Sequence, residues 1–132
     1  MPHVLIDASA LLAVLLDEPE RDAIIAATQD CALVAPQTLP FEVGNALVAM
    51  HRKQRLTAEQ VAETWDAYVS IPVRLVDVGI AGALATAVRC GHYAYDAYML
   101  EAAREQRAPL LTLDKALGRT ARAEGLTLLE LA

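Results

Sequence analysis

Short apolar runs recur along this chain, and a longer amphipathic stretch follows each of them. Residues 4–6, 32–34, 73–78, 109–113 and 126–131 have the length and the Val, Leu and Ile content of strands. Residues 8–16, 20–28, 39–53, 79–90, 96–106 and 115–124 suit helices, and Thr57 with Gln60 offers a reciprocal cap for a helix running to about residue 70. Strands this short, alternating with helices, predict βαβ units and a parallel sheet. The strand runs are almost continuously apolar rather than alternating with polar residues, so the sheet should be covered on both faces. With 132 residues, one domain from 1 to 132 is the simplest organisation.

Composition narrows the class further. Hydrophobic residues make up 55% of the chain, which favours a packed globule over disorder. The uncharged runs fall short of the ~18–20 residues a membrane helix needs, so no membrane partner is expected. The start of the chain carries no Lys or Arg, and Asp7 interrupts its only apolar run, which speaks against a secretory signal. Cys31 and Cys90 lie far apart and outside any C-x-x-C pattern. Reduced, buried thiols in a cytoplasmic protein are the expectation. The net charge of −6 excludes nucleic-acid binding by a broad basic surface, but not by local clusters. Such clusters occur at 51–55 (His-Arg-Lys-Gln-Arg) and at Arg104, Arg107, Lys115, Arg119 and Arg122.

The acids raise the functional question. In open α/β sheets, sites form outside the carboxyl ends of the strands. Asp7, Asp77 and Asp114 each end a strand run and precede a helical one, which is also where an Asp caps a helix. Glu42, between Phe41 and Val43, and Asp96, between Tyr95 and Ala97, fall in first helical turns, where the helix dipole favours an acid. Four carboxylates at converging element ends would raise one another's pKa unless a counter-charge joined them. Mg²⁺ or Mn²⁺ suits such a set, because hard cations prefer carboxylate oxygen and water. Zinc has no support: His3, His51 and His92 are scattered and no H-E-x-x-H occurs.

Four stretches in order, "LIDASALLAVLLDEPE", "PFEVGNAL", "YDAYMLEAA" and "LLTLDKAL", resemble the acidic motifs of PIN-domain ribonucleases, and in particular the VapC toxins of bacterial type II toxin–antitoxin systems. The resemblance runs from Val4 to about Leu128. It implies a three-layer α/β/α sandwich around a mostly parallel sheet of four to five short strands. It also implies a Mg²⁺- or Mn²⁺-dependent endoribonuclease that hydrolyses RNA phosphodiesters with metal-activated water. By this resemblance Asp7, Asp96 and Asp114 would hold metal directly or through water, and Glu42 would bind metal or orient the attacking water. Ser9 would support the site by hydrogen bonding, with Thr112 in a similar role. A homodimer and a cognate antitoxin are the implied protein partners.

Other readings compete. The chain could be a PIN-fold RNA-processing nuclease outside a toxin–antitoxin pair, or a binding module of the same fold that uses its acids as caps. A phosphoacceptor receiver or a phosphatase is disfavoured, since "VLIDAS" lacks the acidic pair of the first and no D-x-D occurs. Asp77 reads as a cap before Gly79. Glu101, about 140° around the helix from Asp96, reads as solvated. Tyr93, Tyr95 and Tyr98 could stack bases or pack on the sheet. Trp65 suits the core or an interface, and the Arg52, Lys53, Arg55 group suits a solvated helix end.

Overall fold

The computed structural model describes residues 1–132. Its elements run β1 (His3–Ile6), α1 (Ala8–Leu15), α2 (Arg21–Thr28), β2 (Ala32–Pro36), α3 (Leu39–Arg52), α4 (Ala58–Val69), β3 (Val73–Val76), α5 (Ile80–Cys90), α6 (Ala94–Gln106), β4 (Leu110–Leu111) and α7 (Lys115–Ala123). The four strands form one parallel sheet in the order β3-β2-β1-β4.

Strand pleating divides the apolar residues between two layers. Val4, Ile6, Ala35 and Leu111 point into the layer of α1 to α4, where they pack with Leu11, Leu12, Ile24, Leu39, Val43 and Leu47. Leu5, Val34, Val76 and Leu110 point the other way, against Met99, Leu100 and Ala103 of α6 and Leu117 and Ala121 of α7. A smaller alanine contact, Ala83 and Ala87 with Ala97, seats α5 on α6. Burial on both faces is why the strands are uniformly apolar. The architecture is a PIN-like α/β/α sandwich.

The fifth expected strand is a correction. Residues 126–131 make only an isolated bridge, Leu110 to Leu128, held by Leu110 N–H to the Thr127 carbonyl and Leu129 N–H to the Leu110 carbonyl, both 2.9 Å. The neighbouring strand explains this. β4 is two residues long, because Pro109 has no N–H to donate and the chain turns at Thr112 toward the next helix, so no ladder exists to extend. β3 is also shorter than expected and leaves Asp77 and Val78 outside the sheet.

Two helix starts follow their sequence signals. Asp7 caps α1 by accepting from Ala10 N–H at 3.1 Å, and Thr57 caps α4 in a reciprocal box with Gln60. Asp77 does not cap α5: the cap position is Gly79, whose N–H donates to Glu105 Oε1 at 2.8 Å. No helix is long and apolar enough to cross a membrane.

Candidate active site

Strand order locates the site. From β1 the chain moves outward through β2 to β3, then returns to place β4 on the other side of β1. The direction of winding therefore reverses between β1 and β4, and at such a point the carboxyl ends of the strands leave a crevice. Asp7 follows β1 and Asp114 follows β4, so these acids flank the reversal. Glu42 comes from the first turn of α3 and Asp96 from the first turn of α6. One pocket of about 200 Å³ is lined by Asp7, Ser9, Glu42, Asp96 and Asp114, with Tyr95, Met99 and Leu117 among its other walls.

Hydrogen bonds fix the direction of three of the four carboxylates, those of Asp7, Asp96 and Asp114. Asp7 is only 8% exposed. Its Oδ1 accepts from Ser9 Oγ at 2.6 Å and from Ala10 N–H at 3.1 Å, while Oδ2 accepts from the Thr112 hydroxyl. Ser9 Oγ in turn accepts from Leu113 N–H at 2.9 Å, and Thr112 Oγ1 accepts from Asp114 N–H at 3.0 Å. Two hydroxyls thus tie the end of β1 to the end of β4. Asp114 Oδ1 accepts from Leu117 N–H at 3.1 Å, capping α7. A capping role and a place in the pocket coincide at both residues, so the two readings of the sequence were not exclusive.

Asp96 has a partner that sequence reading missed. His92 Nδ1 lies 3.1 Å from Asp96 Oδ2, and the other ring nitrogen bonds the Thr120 hydroxyl of α7. The signal was the four-residue spacing from His92 to Asp96. A search for zinc-ligand spacing does not reveal it, because His3 and His51 lie far from His92 in the chain. Glu101 is another correction: its side chain is largely buried and pairs with Arg104 at 2.7 Å, and Arg104 also meets Glu124 at 3.2 Å. Arg122 pairs with Glu130, so two members of the apparent basic cluster are already neutralised. Lys115 and Arg119 make no ion pair and line a shallow depression with Thr112 and Asp114.

Electrostatics mark the pocket as short of positive charge. Burial pushes the Glu42 carboxyl up to about 7, and the charges of Asp7 and Asp96 push it the same way. Burial also raises Asp7 despite its three hydrogen bonds, with Asp114 adding to the shift. The four acids share one pocket, yet no three Asp, Glu, His or Cys side chains are gathered into a ready ligand set. Mutual repulsion favours such separation of bare carboxylates. The donor chemistry still fits a hard cation. Asp7 Oδ2, Asp96 Oδ1, Asp114 Oδ2 and both Glu42 oxygens keep lone pairs not used within the protein.

This arrangement can be compared with known proteins. The PIN domain model matches residues 4–123. The chain belongs to the PIN domain family. Among solved structures it is similar to PAE2754 from Pyrobaculum aerophilum, with 25% identity, a TM-score of 0.71, and 90% of this chain and 79% of that one covered. VapBC2 from Rickettsia felis, solved bound to a DNA fragment from its promoter, shares the fold at 13% identity and a TM-score of 0.65, with 96% of each chain covered. VapC20 of Mycobacterium tuberculosis, a sarcin-ricin-loop-cleaving toxin, does so at 13% identity and 0.66, covering 94% of this chain and 96% of its own. No curated protein matches significantly by sequence. This PIN chain thus has the fold of VapC toxins.

Proposed function

We propose that this PIN domain is a divalent-metal-dependent endoribonuclease, acting in the cytoplasm as a toxin that a cognate antitoxin restrains. The carrying observation is the pocket at the winding reversal, which Asp7, Glu42, Asp96 and Asp114 line together with no Lys or Arg among its walls. Asp7, Asp96 and Asp114 are the residues to hold Mg²⁺ or Mn²⁺, directly or through water, and a bound ion would lower the pKa of water and stabilise charge on the phosphate.

The chain's own groups do the rest. Ser9 and Thr112 donate to Asp7 and favour its charged form, which opposes part of the effect of its burial. His92 holds Asp96 Oδ2 and thereby aims Oδ1. Glu42, whose carboxyl burial first and then the charges of Asp7 and Asp96 push up to about 7 in the ion-free chain, is the acid placed to accept a proton from an attacking water. Lys115 and Arg119, beside Asp114, are free to contact the RNA backbone. The toxin part of the reading, with its homodimer and antitoxin, draws on likeness to VapC20 and VapBC2.

The test is cleavage of RNA by the purified chain with Mg²⁺ or Mn²⁺, with new 5′ ends mapped. Asp96→Asn should reduce the rate by more than the roughly 10–100-fold that loss of an outer partner of a metal ligand costs. Its divalent-ion affinity should fall in parallel. Full activity in folded Asp96→Asn would remove the reading. Cleavage without growth arrest on expression would favour an RNA-processing nuclease over a toxin.

A further inference from the structure

A cleft of about 480 Å³ lies beside the acid pocket and shares Tyr95 with it. Phe41, Ile80, Tyr95 and Tyr98 give it apolar walls, and Gln37, Thr38 and Asp77 give it polar ones. Phe41 immediately precedes Glu42, and Tyr95 immediately precedes Asp96. The first turns of α3 and α6 therefore each offer an acid to one pocket and an aromatic ring to the next.

Those rings are unusually open for a protein interior to have shed. Phe41 is 74% exposed and Tyr95 57%, although exposed aromatic area is costly in water. Tyr95 is braced by Tyr98, edge-to-face, with centroids 5.9 Å apart, which limits its freedom before anything binds. The polar groups are also unspent. Asp77, which caps no helix, makes no ion pair or hydrogen bond, and Thr38 Oγ1 is buried without any hydrogen-bond partner. That hydroxyl is closed off from solvent, so the open polar side chains of the cleft are those of Gln37 and Asp77.

The occupant must have flat apolar faces and an edge carrying hydrogen-bond donors, and must be continuous with whatever enters the acid pocket. Resting on the ribonuclease reading, we infer that this cleft binds a base of the RNA strand next to the scissile phosphate, and that Asp77 selects guanine there. Stacking on Phe41 and Tyr95 would tolerate any base, as stacking platforms do. Selection comes from Asp77, a pure acceptor. Guanine alone presents two adjacent donors, N1–H and the N2 amino group, to a single carboxylate. The exposed Gln37 amide N–H remains for an acceptor atom of the base.

The experiment follows backbone amide shifts by NMR in the ion-free chain, so that cleavage is not needed for a result. Guanosine monophosphate should shift Phe41, Asp77 and Tyr95 and bind about tenfold more tightly than uridine monophosphate. A pentaribonucleotide with a central guanine should bind more tightly still once Mg²⁺ is added, and should then extend the shifts to Asp96 and Asp114. Phe41→Ala and Phe41→Leu should each weaken binding about tenfold, Leu being apolar but not flat. Asp77→Asn should leave binding but abolish the preference for guanine. All three substitutions fall on exposed side chains, so the fold should survive them.

Absence of shifts in the cleft, or shifts with no base preference, would overturn the inference. So would binding unchanged by both Phe41 variants, or a mononucleotide bound as tightly as the oligonucleotide. A chain that cleaves RNA but leaves the cleft silent would sink the base site and keep the nuclease. A chain that binds guanine in the cleft but cleaves nothing would do the reverse.

Discussion

Glu42 carries the clearest consequence at the scale of one residue. In the folded, ion-free chain its carboxyl keeps a proton up to about pH 7, against an ordinary value of 4.5. Between those values the native state binds more protons than the unfolded one. Stability should therefore fall as pH rises from about 4.5 through 7, then level off. Asp7 is displaced in the same direction and adds to the slope. Thermal unfolding in chelator at pH 5 and pH 8 measures this, and Glu42→Gln should flatten the difference. Adding Mg²⁺ at pH 8 should restore more stability to the parent than to the variant. Identical slopes in the two proteins would show that the Glu42 carboxyl is not raised by its burial and its acidic neighbours. The neighbouring hydroxyls work on the same balance, since Ser9 and Thr112 both donate to Asp7 and offset part of the upward push of burial.

At the scale of elements, local signals and packing can be separated by experiment. The α4 cap is local: Thr57 Oγ1 accepts from Gln60 N–H at 3.1 Å, and Gln60 Oε1 accepts from Thr57 N–H at 2.8 Å. Thr57→Ala should cost about 1 kcal/mol of stability in urea unfolding and leave ribonuclease activity unchanged. A comparable loss of activity would mean that α4 is coupled to the site. The start of α5 shows the opposite case. Gly79 supplies no capping side chain, and Glu105 reaches across from α6 to take its N–H. Asp77 is thereby released from the duty that its position in sequence suggested. Similarly, Arg89 and Arg104 converge on Glu124, so charges from α5, α6 and the end of α7 are joined in one network.

The sheet order governs the molecule as a whole. Leu5 lies at the centre, fully buried, on the strand that ends in Asp7 and pairs with both β2 and β4. Leu5→Ala should cost about 2–5 kcal/mol, because neighbours on two sides and a helix layer cannot close the cavity together. Chemical denaturation measures it, and a change below 1 kcal/mol would mean the centre of the sheet repacks freely. Site and core are linked here: a shift of β1 against β4 would pull Asp7 away from Thr112 and Ser9 away from Leu113 N–H.

The sequence by itself determined the elements, because hydrophobic periodicity and caps act within a few residues. Apolar triplets mark the doubly covered strands, and Asp7, Thr57 and Asp114 mark helix starts by side chains that accept from the backbone N–H three residues on. It also showed which acids stand at element ends, and so which residues a pocket might recruit. Only the tertiary structure decided the rest. Whether residues 126–131 pair as a strand depends on the length of β4, which nothing within those residues encodes. The fate of Asp77 depends on Glu105, far along the chain, and the aim of Asp96 depends on a histidine held by Thr120 of another helix. That Asp7, Glu42, Asp96 and Asp114 face one pocket follows from the reversal of winding between β1 and β4. Strand order is set by how whole layers pack, and packing sums over contacts that no local stretch of sequence contains.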